Sequence, residues 1–563
     1  MDRPVPDFPD LGTAGWAGNS VSGRTVESAP VLIVGGSLVG LSTSVFLGRL
    51  GIEHMLVERH AATSTHPRGR GNNVRTMEIF RTAGLEARIR AAASTLAGND
   101  GVLQVDTLTG SQRRWIIRDI SGGMDVSRVS SSDWCLCSQN DLEPVLLEQA
   151  RRQGGDIRFG TELVSFEQDE RGIQARIQDR ETGEITSVAA DYLVAADGPR
   201  SPVRNQLGIA QSGPGELFHN VSVTFRSRHL KDYTGGERFV VCYITDPQGE
   251  GALLPVDNEE RWVIHVPWFP ERGETLEDFT EERCANHVRA AAGVPDLDVE
   301  VTGKAPWHAS KRVADSYGHG RVFLAGDAAH EMPPTGAFGS NTGIQDAHNL
   351  AWKLAAVLRG WAEPSLLDSY ERERRPVALT TSTRASVQAV EEEHPGFSSA
   401  ATRNNDPEDL MTVALCYRYA SAAVLGASPD LPVVPETFQL GGDPGTRAPH
   451  MWVTRDGVRI STLDLYERSF VLLAGAQGQV WRAAAAKASE NLGLPVECHL
   501  VGDRPECDLV PEPDADWAKL HGAAEDGAVL VRPDGFIAWR AHAELPHADR
   551  MLTTALQTVL GRL

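Results

Sequence analysis

The sequence predicts an α/β protein of several domains, and three observations carry that expectation. An apolar run, Val31 to Val34, leads into Gly35-Gly36-Ser37-Leu38-Val39-Gly40, a helical pattern and a second apolar run ending at Glu58. That is one βαβ unit. From about 219 to 307 the pattern changes to alternating, β-branched and aromatic stretches such as RWVIHVPWF (261 to 269), which suit an antiparallel sheet. The dinucleotide-type pattern then resumes at Gly320 and runs into a long helix.

Each element has a local reason. In the first helix Leu41, Val45, Phe46 and Leu50 fall near one face, and Gly51 is placed to end it. RGRGNNVRTMEIFRTAGL (68 to 85) reads as a mobile Gly/Arg loop feeding a helix. SQNDLEPVLLEQARRQGG (138 to 155) carries Asn140 and Glu143 at capping-box-like spacing, with Pro144 tolerable in the first turn. Ile344, Ala347, Leu350, Ala351, Leu354 and Leu358 recur at helical spacing, so a helix begins near Ser340. The polar stretch 391 to 410 reads as a linker or surface insertion. Beyond it, strand-like runs (Phe470 to Leu473, Ala528 to Val531) and Ala-rich helices form a separate small α/β domain. The organisation expected is a disordered leader at 1–29, a nucleotide-type domain at 30–218 and 308–400, a sheet domain at 219–307, a connection at 401–434 and a last domain at 435–563.

At 563 residues the chain is too long for one hydrophobic core. Its 54 Lys and Arg against 76 Asp and Glu give a formal charge of −22, which repels nucleic acid and an anionic membrane. The apolar runs are too short to span a bilayer, and the first 29 residues lack the apolar core of a signal peptide. Seven cysteines show neither a disulfide framework nor a CxxC pair, and no HExxH suggests a metal. Structural thiols in a reducing cytoplasm are expected, in a monomer or homodimer.

Residues 35 to 40 form a GxGxxG pattern with serine at the middle glycine. Following a strand, opening a helix and answered by an acid 23 residues after Gly35, it suits a pyrophosphate on the helix N-terminus and Glu58 on ribose hydroxyls. A plain tight turn is the alternative. The acid argues against a 2′-phosphate and leaves FAD or NAD open. AGDAAHEMPPTG (325 to 336) ends an apolar run on Asp327 and then forbids regular structure with Pro333 and Pro334, where a helix N-cap with a proline turn is the plainer reading. YLVAADGPRSPVR (192 to 204) ends another strand on Asp197-Gly198.

With the Gly-rich unit, the segments 192 to 204 and 320 to 355 resemble the three fingerprints of the class A flavoprotein monooxygenases, the family of para-hydroxybenzoate and phenol hydroxylases. The resemblance covers residues 30 to 390 and includes HPRGRGNNVRTMEIFRTAGL and SQNDLEPVLLEQA. GTRAPHMWV (445 to 453), STLDLYERSFVLLAG (461 to 475) and GAVLVRPDGFIAWRA (527 to 541) resemble the thioredoxin-like tail of phenol hydroxylases and actinobacterial aromatic polyketide hydroxylases. Glu58-Arg59-His60-Ala61-Ala62-Thr63-Ser64 and Val74-Arg75-Thr76-Met77-Glu78-Ile79 are similar to segments of anthracycline- and tetracenomycin-type hydroxylases, with alanines where the first of those segments carries proline and glycine.

The resemblance implies a Rossmann-like FAD-binding domain, an interleaved substrate sheet and a thioredoxin-like domain without CxxC. It implies FAD contacts from Gly35, Ser37, Leu38, Gly40, Glu58, Arg59, Arg68, Gln139, Val164, Asp327, Pro334, Gly339, Ser340 and Asn341. Asp327 would meet the ribityl chain, Gln139 the phosphates and ribityl chain, and Val164 the adenine. Pro334 would stand beside the isoalloxazine, and the helix from Ser340 would aim free N–H groups at its pyrimidine edge. Gly336, Gly339 and Gly343 would let backbone approach the ring. Arg68 and Arg75 could pair with pyrophosphate or with surface acids. Pro334 and His330 are the candidate catalytic positions, His330 being also readable as a structural hydrogen-bonder. The substrate would meet His265, Trp268 and Tyr243, with Trp262 and Phe269 completing an apolar wall, although any one of these aromatics could be core. His265 or Tyr243 is the candidate base for a phenol. A single dinucleotide fingerprint implies that NADPH or NADH binds transiently and that the flavin swings, with slack at 69 to 73.

The function expected is NAD(P)H- and dioxygen-dependent hydroxylation of a polycyclic phenolic, aromatic polyketide-type substrate through a flavin hydroperoxide. A Baeyer–Villiger-type oxygenase on the same fold and a non-catalytic flavin-binding redox sensor are the alternatives. A flavin halogenase is disfavoured because no GWxWxIP motif occurs.

Overall fold

Strand Val26–Val34 forms the spine of the first domain, and Val31, Leu32 and Ile33 are wholly buried. In the computed structural model, which describes residues 26–384 and 407–563, it lies in a mostly parallel sheet. The parallel strands run in the order Val322–Leu324, Ile185–Ala195, Val26–Val34, His54–Glu58, Asp156–Phe159. Burial on both faces explains the unbroken apolar runs. Helices α1 (Leu38–Arg49), α2 (Val74–Thr82) and α3 (Gln139–Arg152) follow in the chain. The Val26–Val34 strand begins inside the expected leader, since Val26 to Ala29 already pair with Ser187 to Ala190. Residues 1–25 lie outside the described residues.

The second sheet is larger than the 219–307 segment expected. Its eight strands run His330–Glu331, Glu300–Ala314, Gln211–Arg226, Arg261–Trp268, Gly251–Pro255, Val241–Ile244, Val102–Val105, Arg113–Ile117. Three strands come from stretches read as nucleotide domain: His330–Glu331, and the pair Val102–Val105 and Arg113–Ile117, which joins through Val102–Val105 running parallel to Val241–Ile244. Side chains alternate between two faces. On one face Cys242, Leu253, Ile264 and Val223 pack with Cys284, Val288, Ala291 and Ala292 of α4 (Glu281–Ala292) in a closed core. The opposite face carries the register-matched row Tyr243, Ala252, His265 and Ser222.

Two long helices return to the first domain: α5 (Phe338–Leu358) and α6 (Asp368–Arg384). Residues 385–406, which include most of the linker read at 391 to 410, lie outside the described residues. The connection expected at 401–434 is packed structure where it is described. Pro407–Leu415 is helical, and Met411, Leu415, Tyr417 and Tyr419 are buried. The last domain holds a four-stranded sheet in the order Val496–Val501, Phe470–Gly475, Ala528–Val531, Ile537–Ala541, with the first pair parallel and the others antiparallel. Helices Gln479–Leu492 and Ala548–Val559 cover one face, giving a thioredoxin-like arrangement. Phe470 meets Trp352 of α5 edge-on at 5.9 Å, so this face also seats the domain on the first.

Buried charges lock that seat. Glu78 of α2 accepts from Arg447 Nη2 at 2.9 Å and pairs with Arg75 Nη1 at 3.0 Å, and Arg75 Nη2 donates to the Asp534 carbonyl at 2.7 Å. Arg75 therefore serves the domain interface, not a pyrophosphate. Glu373 of α6 accepts from Lys353 Nζ of α5 (2.7 Å) and Arg532 Nη1 (2.6 Å), and Arg532 also binds Asp534. Removing one partner of a buried pair strands the other, which costs more than the pair's net worth. Glu78→Ala is thus expected to lower stability by about 3–5 kcal/mol, read as a shift in the urea midpoint, with Glu78→Gln costing less.

His521 is fully buried, stacked on Trp517 at 4.2 Å, and burial holds its pKa at about 3. The unfolded chain, with an ordinary imidazole, binds the proton between about pH 6.5 and 3 while the folded state does not. Stability must therefore fall as pH falls through that window, by up to about 1.4 kcal/mol per pH unit for this group. Urea midpoints measured from pH 7 to 4 should show a shallower slope in His521→Leu than in the parent.

Candidate active site

The turn after the first strand is shaped by what cannot fit there. Gly35 has φ of +104°, and a Cβ on it would collide with the Ala196 carbonyl, as one on Gly40 would with the Gly35 carbonyl. A Cβ on Gly36 would stand 2.7 Å from Glu58 Cβ. The Gly36 N–H donates to Glu58 Oε2 at 2.6 Å, and Oε1 accepts from the His60 N–H at 2.8 Å and faces His60 Nδ1 at 2.5 Å. Glu58 thereby fixes the turn from the end of its own strand.

Ser37, the residue at the middle-glycine position, is drawn aside. Its hydroxyl donates to Glu143 Oε1 at 2.6 Å and accepts from Gln139 Nε2 at 2.9 Å. It is the N-cap of α1 but makes no side-chain capping bond, so the helix start is left to other partners. Glu143, expected to cap its own helix, instead reaches Ser37, Gln139 and the Ser64 N–H (2.7 Å), while Ser138 takes the N-cap and Pro144 lies inside the helix. Leu38 is buried in the core. Arg59 is exposed, its carbonyl held by Arg180 Nη1 at 3.0 Å, and Val164 is exposed on the adjoining hairpin.

Segment 66–73 crosses from this domain to the second sheet as a strap. Asn341 pins it: Nδ2 donates to the carbonyls of Gly71 (2.7 Å) and Ala337 (2.6 Å), and Oδ1 accepts from the Asn73 N–H at 2.9 Å. Asn72 Nδ2 donates to the Cys135 carbonyl at 3.1 Å. The slack expected at 69 to 73 is therefore absent from 71 to 73, where side chains fasten the backbone; Arg68 and Gly69 are exposed. The Asn341 side chain, expected to face a ligand, is consumed in this clamp and is 1% exposed. At the start of α5, Ala337 sits at φ +54° with no side-chain cap, and Gly339 and Ser340 are partly exposed. A Cβ on Gly343 would meet Val39 at 2.7 Å and Gly326 at 2.9 Å, so this glycine serves helix packing and not ligand approach.

Asp327 lies in the turn Gly326–Ala328 and is exposed, yet protein surrounds it closely enough for desolvation to raise its carboxyl pKa, against the pull of His330 and Arg68. Its carboxyl is thus accessible but closely surrounded by protein. Pro333 is buried and Pro334 exposed. His330 is sealed in the core, which contradicts a direct catalytic role. Its Nε2 pairs with Asp346 Oδ2 at 2.7 Å and its ring stacks on Tyr317 at 6.2 Å. Burial alone would raise the Asp346 carboxyl, but Arg374 and His330 bring it below its usual value.

The open face of the second sheet carries the remaining candidates. His265 stacks on Trp307 at 5.3 Å, and Tyr243 lies in the same row two strands away. Trp268, three residues after His265, necessarily points to the opposite face. There it packs on the closed core and donates Nε1–H to the Glu274 carbonyl at 3.1 Å. Trp262 is on that core face as well, so neither tryptophan can touch a ligand on the open face. Phe269 lies past the strand end under Arg272, at 4.1 Å. Burial, then the charges of Arg70 and His66, hold the His265 pKa at about 3, and burial raises Tyr243 to about 12. Neither is matched to accept a proton near pH 7. Sequence reasoning missed Trp307, Arg70 and His66. Trp307 was legible from the alternation in 300–314, whereas Arg70 and His66 reach the sheet only through the strap.

A surface recess of about 850 Å³ on the far edge of the parallel sheet, lined by Tyr192, Arg321 and Glu371 among others, holds none of these residues. No helix among the described residues is long and apolar enough to cross a membrane.

Residues 28–385 match a family model described as FAD binding domain, and 442–562 one described as aromatic-ring hydroxylase, C-terminal. A Streptomyces halstedii protein provisionally assigned as a polyketide hydroxylase is 62% identical over 96% of this chain and 98% of its own. The tetracenomycin A2 monooxygenase-dioxygenase of Streptomyces glaucescens is 42% identical over 96% of this chain and 98% of its own. The structure of a ternary complex of aklavinone-11 hydroxylase with FAD and aklavinone superposes with a TM-score of 0.85 at 35% identity, covering 96% of this chain and 100% of that one.

The Asn341 clamp can be tested on its own. Asn341→Ala leaves three backbone groups without their partner, a loss of about 1–3 kcal/mol. Hydrogen exchange should quicken in peptides spanning 70–77 and stay unchanged in the C-terminal sheet.

Proposed function

The chain belongs to the FAD-dependent aromatic-ring hydroxylases and resembles their polyketide hydroxylases throughout, and from that premise we propose that it uses NADPH or NADH and dioxygen to hydroxylate a polycyclic phenol. The observation that carries this reading is the strap that joins two surfaces. Asn341 at the start of α5, near Asp327, Pro334 and the Gly-rich turn, holds residues 71 and 73, while Arg70 and His66 reach Pro255 and Ser222 on the open sheet face that carries Tyr243, His265 and Trp307.

The residues fit FAD. The turn admits no Cβ at 35, 36 or 40, which suits a pyrophosphate lying against backbone at the uncapped start of α1. Glu58 at the strand end would meet ribose hydroxyls with the lone pairs left beyond its contacts to Gly36 and His60, and Gln139 and Arg68 would meet phosphate. Arg59 and Val164 lie at the exposed edge assigned to adenine. Asp327 supplies an acceptor for the ribityl chain. Gly339 and Ser340 present first-turn amides of α5 to a ring that gains negative charge on reduction. Pro334, with no N–H to offer, bounds the ring without competing for its acceptors.

Bound FAD would supply the redox chemistry, accepting hydride from the nicotinamide and activating dioxygen so that one oxygen atom reaches an electron-rich ring carbon. The chain's own residues orient the aromatic substrate against the sheet and exclude water. Trp307 and His265 offer a flat surface for a multi-ring system. The thioredoxin-like domain, with no cysteine pair, acts by packing on α2, α5 and α6.

Rapid mixing tests the proposal. Anaerobically reduced holoenzyme mixed with dioxygen should show a transient absorbance at the blue–ultraviolet border that decays faster with a polycyclic phenol, yielding hydroxylated product. Direct return to oxidised flavin with hydrogen peroxide as the sole product, whatever the aromatic ligand, would contradict it. An ester product would favour the Baeyer–Villiger alternative.

A further inference from the structure

Resting on the hydroxylase reading, we infer that Arg70 anchors an ionised oxygen of the substrate, a phenolate or a carboxylate conjugated to its ring system. Arg70 is 7% exposed, one guanidinium nitrogen donating to the Pro255 carbonyl at the end of a sheet strand. Its Nη2 is buried with no partner. An acid, Asp141, lies near enough to act on it electrostatically but forms no ion pair with it. Burying an unanswered guanidinium N–H is costly, and burial lowers the Arg70 pKa only to about 10, so the group stays cationic at neutral pH.

Two more unanswered nitrogens converge on the same face. His66 Nε2 lies 3.2 Å from the Ser222 hydroxyl, and Ser222 is the cross-strand partner of His265. The Nδ1 atoms of His66 and His265 are both buried without a hydrogen-bond partner. Arg70 and His66 each act electrostatically on His265, which places the three groups in one neighbourhood. Trp307 stacked on His265 adds a flat apolar surface beside them. A cation with a free fork arm, two neutral imidazoles and an indole match a planar ring bearing an anionic oxygen. That neither His265 nor Tyr243 is matched to take a proton near pH 7 then loses its importance. Arg70 selects and holds the ionised form electrostatically, without any residue removing a proton during turnover.

The test titrates FAD-loaded enzyme with three size-matched tricyclic probes, followed by flavin absorbance and tryptophan fluorescence. Anthraquinone-2-carboxylate carries a carboxylate, 1,2-dihydroxyanthraquinone an ionisable phenol whose colour reports its charge, and 2-(hydroxymethyl)anthraquinone neither. At least one anionic probe should bind the parent about 10- to 100-fold more tightly than the neutral probe. Arg70→Met should abolish that preference and Arg70→Lys should keep part of it. Tight binding of the carboxylate alone identifies a carboxylate ligand; tight binding of the dihydroxy probe with the phenolate colour identifies a phenolate. Equal affinity for all three probes in the parent overturns the anchor while leaving the pocket standing, and needs no variant to fold. Failure of all three to bind overturns the pocket itself, and the anchor with it.

Discussion

Helix α5 is buried on nearly every side, yet it carries Asn341, Asp346, Asn349 and Lys353, and each polar group there must find a partner or destabilise the fold. Their partners lie on four different segments. Asn341 holds the strap at 71–73, and Asp346 gathers the Gly326 N–H, His330 and Arg374. Asn349 and Lys353 meet Glu373, and Asn349 also reaches Asp534 of the last domain. Asn341, Asn349 and Lys353 sit at multiples of four residues, so they lie along one side of the helix. The polar stripe thus determines how the turn, the strap, the sheet and the C-terminal domain meet.

The consequence is two surfaces set by different physics and joined by the strap at 66–73. On the α5 side, backbone amides and small residues present polarity without bulky side chains, as a wall for a large flat cofactor requires. On the sheet side, period-two alternation separates a dry core with α4 from a face bearing Tyr243, His265 and Ser222. The strap runs between them and brings Arg70 and His66 over that face. Helices α1 and α5, like α3, start without side-chain caps, and the first-turn N–H groups of α1 and α5 are ones that a phosphate and a reducible ring would answer.

Much of this was legible in the sequence because it depends on local rules. The βαβ unit, the glycines at 35, 36 and 40, the alternating sheet and the apolar spacing of α5 are all fixed within a few residues of chain. The errors fall where partners are distant. Glu143 sits where a capping residue would, but its partners Ser37 and Ser64 are in another part of the chain. Arg75 answers Glu78 and Asp534, a contact 459 positions away. His330, conspicuous after Gly326-Asp327-Ala328-Ala329, is sealed by Asp346, which no local pattern reveals. Trp268 is a different kind of error: counting its parity against His265 would have put it in the core. The extra strands at 102–117 were missed because one of them joins the sheet through a parallel pairing that no turn signal marks.

The most direct measurement is an experimental structure of the enzyme with FAD and a polycyclic phenol. The account predicts the isoalloxazine between the start of α5 and the open sheet face, Asn341 still holding Gly71 and Asn73, and the phenol against His265 and Trp307. A substrate lodged on the Trp268 side of the sheet, or a flavin ring remote from the start of α5, would contradict it.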